Sequence, residues 1–168
     1  MFDIVAIDFY LLTCSMNKKI IYSLPIALII FGFSIKTLLP KKDTLLNHIA
    51  LHVTDLQKST IFYEQIIQLD SVPEPFHDGK HTWLKIGNVS ALHLIAGASK
   101  DHVSDKNAHL CFSVPSITDF ISRLDNAHLD YENWAGAKNS VTTRVDGIKQ
   151  IYFQDPDGYW VEINNDYK

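Results

Sequence analysis

Asn47-His48-Ile-Ala-Leu-His52-Val53 and Ala108-His109-Leu-Cys-Phe-Ser-Val114 are two stretches of this chain that align with each other. In each, a histidine opens a short β-rich run, and a valine follows five residues later. A helix-forming segment comes next in both, with Asp55 as the first predicted N-cap and Ser116 with Asp119 resembling a capping box. The alignment therefore predicts an internal repeat that begins with a strand and a helix.

Short strand-like runs follow each predicted helix. The sequence Asp155-Pro156-Asp157-Gly158 is typical of a turn and would join the last two strands. Both halves therefore read β-α-β-β-β, and a repeat of this kind should place equivalent residues facing one another. We predict one α+β domain over residues 43–168, with modules at about 45–97 and 106–166. The predicted later strands lie around residues 71–72, 81–86, 90–95, 130–134, 148–153 and 159–163.

Composition and charge exclude several classes of protein. The 168 residues are 46% hydrophobic and include only 7 Gly and 6 Pro, which excludes a disordered or low-complexity chain. Residues 43–168 carry ten basic and seventeen acidic side chains, and this acidic balance argues against a nucleic-acid partner. The two cysteines, Cys14 and Cys111, cannot form a disulfide framework for a small secreted fold.

Residues 1–42 are predicted to be a leader. Their apolar run, residues 20–35, carries no charge and follows two lysines, a pattern typical of a targeting helix. We expect either a signal peptide or a membrane anchor through residues 20–39, and hence an exported (periplasmic or secreted) or membrane-anchored protein. Met16 reads as a more natural start than Met1, which would make residues 1–15 an over-extended gene model and keep the apolar run. The location would be cytoplasmic if the leader itself results from a mis-assigned start. A buried core helix is the alternative, which Pro25 disfavours.

Four residues form a candidate metal constellation. His48 and His109 open equivalent strands, and His93 and Glu162 each stand between apolar neighbours on a later strand. Three imidazoles and one carboxylate suit a borderline divalent ion such as zinc, nickel, iron or manganese. The ligands are dispersed along the chain, so the spacing alone leaves satisfied core polar groups as an alternative.

Three further residues are candidates for the pocket around this site. His52 shares a strand face with His48, either lining the pocket or standing on the surface. Cys111 shares the face of His109, although a small buried hydrophobe is its commoner role. Arg144 is positioned either to reach an anionic substrate or to form a salt bridge within its loop. The remaining histidines are assigned to loops or exposed helix ends: His77, His81, His102 and His128.

These motifs together resemble the vicinal oxygen chelate superfamily over about residues 46–165. That superfamily includes glyoxalase I, fosfomycin-resistance thiol transferases, extradiol dioxygenases, methylmalonyl-CoA epimerases and bleomycin-binding proteins. The resemblance implies two βαβββ modules that form a curved mixed sheet around one divalent metal ion. It matches His48, His109 and Glu162 to ligands, and it puts His93 where glyoxalase I has a second glutamate. The residues that carry it are Leu46-Asn47-His48, Asp55-Leu56, Ser59, Phe62-Tyr63, Asp155-Pro156-Asp157-Gly158-Tyr159 and Glu162.

The resemblance implies a metal-dependent glyoxalase-like lyase or isomerase, of the lactoylglutathione-lyase type, acting on a small substrate with vicinal oxygens. In such a reaction the metal binds two neighbouring oxygens while a carboxylate moves a proton. Glu162 is the only carboxylate of the set, so it would be both ligand and candidate base. The family's glutathione-binding arginine is missing near His52, which argues against glutathione as the thiol.

Two other functions stay open at this point. One is a metal-dependent small-molecule binding or resistance protein without turnover. The other is a ring-cleaving dioxygenase, although a fourth ligand at His93 would close a position that oxygen needs. Related proteins often form homodimers, and no residue indicates whether His48 and Glu162 of one chain share a metal.

Overall fold

The computed structural model describes residues 44–100 and 103–168. The leader predicted at residues 1–42, its apolar targeting helix and His102 lie outside these residues. Within the described part, no helix is long and apolar enough to cross a membrane. Export and membrane anchoring therefore stay predictions.

The first module is a four-stranded mixed sheet with one short helix. Its strand order is β1-β4-β3-β2, in which β1 and β4 run parallel and the other neighbours run antiparallel. The helix continues directly into a π-helical turn at Tyr63–Ile67. The elements are β1 (His48–Val53), α1 (Leu56–Phe62), β2 (Ser71–Val72), β3 (His81–Ile86) and β4 (Ser90–Ala96).

The second module repeats this arrangement. Its strand order is β5-β8-β7-β6, again with one parallel pair, β5 and β8. The predicted caps are present, since the Asp55 carboxylate accepts a hydrogen bond from the Lys58 amide and the Ser116 hydroxyl accepts one from the Asp119 amide. The βαβββ repeat is thus confirmed. The elements are β5 (His109–Ser113), α2 (Ile117–Asn126), β6 (Thr142–Thr143), β7 (Lys149–Gln154) and β8 (Trp160–Asn164).

One predicted strand is almost lost. Residues 130–134 contribute only isolated bridges, both at Glu132: one to Lys138, and one to Tyr152, with which it exchanges two backbone hydrogen bonds of 2.8 Å. Asn133 then closes a turn by bonding to the backbone of Ala137, which directs the chain away from the sheet edge. The edge strand of this sheet is instead the two-residue β6.

The strands form two separate four-stranded sheets, so the expected single curved sheet is corrected. Each module completes its own ladder, because β1 and β5 each pair with the last strand of their own module. One face of each of these two strands stays uncovered in the single chain. The exposed residues on these faces are His48, Ala50, His52, Cys111 and Ser113.

Strand alternation separates core from site. The residues between the candidate ligands point to the opposite face of each sheet and are buried with the helices. Leu124 and Phe120 of α2 belong to the same apolar core. The alternation that buries one face therefore presents the candidate ligands on the other. The core residues that flank the ligands on β4 and β8 are Leu92, Leu94, Val161 and Ile163.

The predicted turn between β7 and β8 joins the two modules. Asp157 accepts hydrogen bonds from the amide and hydroxyl of Thr54 at 2.6 and 2.7 Å, and from the Ser59 hydroxyl at 2.6 Å. The buried Tyr63 hydroxyl donates to Asp155 at 2.8 Å. The turn thus fixes the start of α1 in the first module to the end of the second.

Candidate metal centre

The two sheets place their candidate ligands at equivalent positions. His93 on β4 pairs with Trp83 on β3, and Glu162 on β8 pairs with Tyr152 on β7. In both sheets, the histidine that opens the first strand lies one step diagonally from the ligand on the last strand. The quasi-symmetry predicted from the sequence is therefore present in the register of the strands.

The second module brings His109 and Glu162 into contact, with Nε2 of the imidazole 3.2 Å from Oε2 of the carboxylate. The other ring nitrogen, Nδ1, lies 2.7 Å from the backbone carbonyl of Lys106. Because a carbonyl only accepts, Nδ1 carries a hydrogen, and Nε2 is the nitrogen that faces Glu162. A proton or a cation between Nε2 and the carboxylate stabilises so close an approach. Metal-binding histidines commonly donate their other ring hydrogen to an oxygen acceptor in the same way.

Glu162 is buried and held by several donors. Its Oε2 accepts from the Tyr152 hydroxyl at 2.6 Å, and its Oε1 accepts from Asn164 Nδ2 at 2.9 Å and Cys111 Sγ at 3.2 Å. Burial acts to raise the pKa of Glu162, but these hydrogen bonds and the nearby His109 outweigh it, so the pKa is lowered. The carboxylate is thus held ionised and in a fixed orientation, as a metal ligand should be.

Sequence reasoning missed the residues that orient Glu162. Gln150 Nε2 donates to the Tyr152 hydroxyl at 2.6 Å, so the hydrogen of that hydroxyl is left for Glu162. Burial and the contact with Glu162 raise the pKa of Tyr152, which keeps it a donor. The alternation of side chains along β7 and β8 could have indicated them, because it places these residues on the same face as Glu162. They are Gln150, Tyr152 and Asn164.

The first module brings His48 and His93 together, with ring centroids 5.8 Å apart. Nδ1 of His48 lies 2.7 Å from the Asn47 side-chain oxygen, which leaves Nε2 available to bind a metal. His93 is only 6% exposed. Burial lowers its pKa, and the neighbouring His81 and His48 lower it further, so the ring is neutral at physiological pH.

Trp83 and Tyr152 occupy equivalent positions but contact the ligand differently. The Tyr152 hydroxyl donates to Glu162, whereas the Trp83 ring stacks on His93 with centroids 4.2 Å apart and planes 19° apart. Trp83 Nε1 is buried, and no hydrogen-bond partner for it lies in the described part of the chain. The second module has a carboxylate at this position and the first module has an imidazole. The hydrogen bond from the neighbouring strand in the second module is thus replaced by a ring stack in the first.

His81 begins β3, at the start of the strand predicted over residues 81–86. Its assignment to a loop or an exposed helix end was wrong, since its side chain is only 18% exposed. It shares a face with Trp83 two residues later, which was the signal for its position. Its Nδ1 lies 2.8 Å from Nε2 of His93, and its Nε2 lies 3.6 Å from Asp78 Oδ2. A third histidine therefore belongs to the first-module cluster.

The three pocket candidates differ in their surroundings. His52 is exposed on the ligand-bearing face of β1. Arg144 forms an exposed ion pair with Asp146 at 2.6 Å, the loop contact that was its alternative role. Partial burial and the contact with Glu162 raise the pKa of Cys111 to about 12, so this thiol stays protonated and donates. Whether any of them contacts a substrate stays a prediction.

The four predicted ligands form two pairs within one chain, His48 with His93 and His109 with Glu162. Among residues 44–100 and 103–168, no three His, Cys, Asp or Glu side chains are grouped closely enough to hold a metal ion. A four-ligand site therefore stays a prediction. Each pair nevertheless offers donors of the types that a borderline divalent ion takes.

The fold defines a class of protein with two βαβββ modules, and each module carries a pair of donors of metal-binding type. The family described as "Glyoxalase/Bleomycin resistance protein/Dioxygenase superfamily" matches residues 45–163. The chain belongs to this superfamily, and the resemblance seen in the sequence is confirmed.

Individual relatives span several activities. Metallothiol transferase FosB of Shouchella clausii (strain KSM-K16) is 29% identical over 123 residues, which cover 71% of this chain and 78% of the relative. Lactoylglutathione lyase of Pseudomonas putida is 26% identical over 149 residues, covering 70% and 82%. The crystal structure of the fosfomycin resistance protein FosX from Listeria monocytogenes has a TM-score of 0.59 and 21% identity, covering 74% and 94%. This last similarity supports the fold alone.

Proposed function

We propose that this protein is a divalent-metal-dependent, glyoxalase-like lyase or isomerase acting on a small substrate with two neighbouring oxygens. One observation carries the proposal: Nε2 of His109 and Oε2 of the ionised Glu162, two atoms of metal-binding type, face each other at 3.2 Å. Both groups are held by other partners, so the site favours a cation between them. The superfamily's metal-dependent relatives support the same class of activity.

The ion would be held by His48, His93, His109 and Glu162, and zinc, nickel, iron and manganese all suit this donor set. Once bound, a divalent ion polarises oxygens of the substrate. The residues of the chain bind and orient it. Tyr152 holds Glu162 in position for this role.

The two ligand pairs would meet across a homodimer. Within one chain they form no common group in the described residues. The faces that carry them on β1 and β5 are exposed in the single chain, at His48 and Cys111 among others. A two-fold axis would bring the first module of one chain to the second module of its partner, and it would do so twice.

Glu162 is better suited to the ligand role than to the base role. Its hydrogen bonds from Tyr152, Asn164 and Cys111 lower its pKa, and a lowered pKa makes a weak proton acceptor. This favours one alternative function, a metal-dependent binding or resistance protein that does not transform its ligand. The superfamily's description, which includes bleomycin resistance protein, is consistent with a resistance role.

Metal content and product formation of the purified full chain test the proposal. We expect about one divalent ion per chain, and isomerised product from 2-oxoaldehyde adducts of small thiols. Glu162→Gln should abolish turnover, because it removes both an anionic ligand and the candidate base. The exposed Asp130→Asn variant is the matched control.

The possible outcomes separate the candidate functions. Metal bound without product would leave the binding or resistance function. Iron-specific oxygen uptake would indicate the dioxygenase. A parent chain that stays metal-free after reconstitution would rule out all three metal-dependent functions.

A further inference from the structure

Three side chains of the first module form a row that ends at a predicted ligand, with an ion-pair contact at its outer end and a hydrogen bond at its inner end. Asp78 Oδ2 lies 3.6 Å from Nε2 of His81, and Nδ1 of His81 lies 2.8 Å from Nε2 of His93. Asp78 is exposed, whereas both imidazoles are largely withdrawn from solvent. The row therefore runs from the surface into the candidate metal centre.

The carboxylate at the outer end favours one arrangement of the hydrogens. Its negative charge, 3.6 Å from Nε2 of His81, favours a hydrogen on that nitrogen. A neutral imidazole carries one hydrogen, which leaves Nδ1 of His81 as an acceptor. The 2.8 Å contact then requires that Nε2 of His93 be the donor. Nδ1 of His93 is consequently the nitrogen with the free lone pair.

His48 and His81 flank His93. His48 pairs with Ala91 and His81 pairs with Ile95, so the two histidines lie on opposite sides of His93 along β4. The His48 and His93 ring centroids lie 5.8 Å apart, and Nε2 of His93 is occupied by His81. Nδ1 is therefore the nitrogen of His93 that is left for a metal ion.

We propose that His81 is a positioning residue that takes the Nε2 hydrogen bond of His93, so that His93 binds the metal through Nδ1. His48 and His109 bind through Nε2, since their Nδ1 atoms lie 2.7 Å from oxygen acceptors. The metal-binding half of this inference rests on the proposed function, whereas the tautomer does not. One ligand of the set therefore differs from the others in its binding atom.

The second module uses an equivalent position for the same purpose. Gln150 pairs with Asn164 just as His81 pairs with Ile95, so the two residues correspond in the repeat. Gln150 acts through the Tyr152 hydroxyl to orient a carboxylate. The predicted ligand on the last strand of each module, β4 or β8, is thus hydrogen-bonded to a side chain of the neighbouring strand, β3 or β7.

Nitrogen-15 NMR of histidine side chains in the metal-free full chain tests the tautomer. At about pH 8.5, two units above the ordinary histidine pKa, we expect His93 in the Nε2–H form. His81→Phe keeps a ring but removes the acceptor, and it should turn His93 into a mixture of tautomers. Asp78→Asn, an exposed change that does not threaten folding, should shift His93 the same way. His77→Phe alters an exposed histidine of the same loop and should leave His93 unchanged.

Zinc titration followed by the same spectra tests the binding atom. Zinc should shift the Nδ1 signal of His93, and His81→Phe should weaken zinc binding about 10- to 100-fold, as loss of an orienting partner does. An Nδ1–H form of His93 in the metal-free chain would overturn the inference. Zinc on Nε2 of His93 would also overturn it but leave the proposed function intact. Zinc bound nowhere would contradict the proposed function, while the metal-free spectra would still decide the tautomer.

Discussion

Glu162 accepts more hydrogen bonds than an ordinary carboxylate on a sheet. The donors Tyr152, Asn164 and Cys111 occupy both oxygens, and His109 lies 3.2 Å from one of them. A buried anion with this many donors is stabilised by them and does not depend on a metal to stay ionised. The chain's own donors therefore hold this carboxylate ionised and in a fixed orientation.

Replacement of this carboxylate should cost stability in a pH-dependent way. In the metal-free protein, Glu162→Gln should lower the free energy of unfolding at neutral pH by about 1–3 kcal/mol, because an amide cannot accept from all these donors. The folded pKa is lowered, so the ionised form stabilises the fold. That contribution is complete above about pH 4.3, the ordinary pKa, and is lost as the pH falls through the lower folded value.

Urea unfolding near neutral pH and in acid measures the effect. The difference between parent and Glu162→Gln should shrink in acid. The exposed Asp130→Asn should differ from the parent by less than about 0.5 kcal/mol. A Glu162→Gln difference that stays constant across the pH range would contradict the lowered pKa.

The sequence could predict a site residue where the pattern along its own strand was enough to reveal it. His93 and Glu162 stand out in the sequence because each is a polar residue between buried apolar neighbours. Tyr152 and His81 were not predictable as partners, since their contacts depend on the register between adjacent strands. Local spacing does not fix that register.

The turn that joins β7 to β8 also connects the modules. Asp157 accepts two hydrogen bonds from Thr54 and one from Ser59, where the chain passes from β1 into α1. Asp155 accepts from the buried Tyr63 at the end of the same helix. The turn therefore stabilises the helix of the other module as well as its own hairpin.

Truncation of the Asp157 side chain should destabilise the whole domain. Asp157→Ala leaves three donors without their acceptor, and we expect a loss of about 1–3 kcal/mol in the free energy of unfolding. Hydrogen exchange should also accelerate at the Thr54 amide. The matched control is Asp146→Ala, which removes an exposed ion pair and should cost less than about 1 kcal/mol. Equal losses in the two variants would show that the turn does not join the modules.

At the level of elements, periodicity predicted most strands but failed at one edge of the second sheet, where β6 lies. The strands with a buried face, β3, β4, β7 and β8, begin and end within two residues of the prediction. The strand predicted at residues 130–134 was wrong, because the turn at Asn133 removes the chain from the ladder after one bridge. A side chain that hydrogen-bonds to the nearby backbone competes with strand pairing. The alternation of apolar and polar residues along the sequence does not reveal such a hydrogen bond.

The molecule as a whole has two sheets, each with a ligand pair on its open face. The internal repeat predicted that equivalent residues would face one another. Within the described part of a single chain this pairing is incomplete, since no three donors are grouped. The repeat could not reveal whether the facing partner lies in the same chain or in a second copy, because both arrangements follow from one sequence pattern.

Mixing two disabled variants distinguishes these arrangements. One variant carries His48→Ala and His93→Ala, and the other carries His109→Ala and Glu162→Ala, so neither retains more than two ligands. Unfolded together and refolded, half of the dimers should contain one of each. If the pairs meet across chains, every such mixed dimer has one intact site, and metal content should recover to about a quarter of the parent's value per chain.

The controls for this experiment are each double variant refolded alone, and the parent refolded with a variant that carries all four alanine substitutions. Each variant alone should bind little metal, because two ligands hold a divalent ion weakly in competition with water. Recovery that occurs only in the mixture requires that His48 and His93 of one chain share an ion with the Glu162 of another. A mixture that binds no more metal than its components, although the chains elute as dimers, would show that the site does not cross between chains.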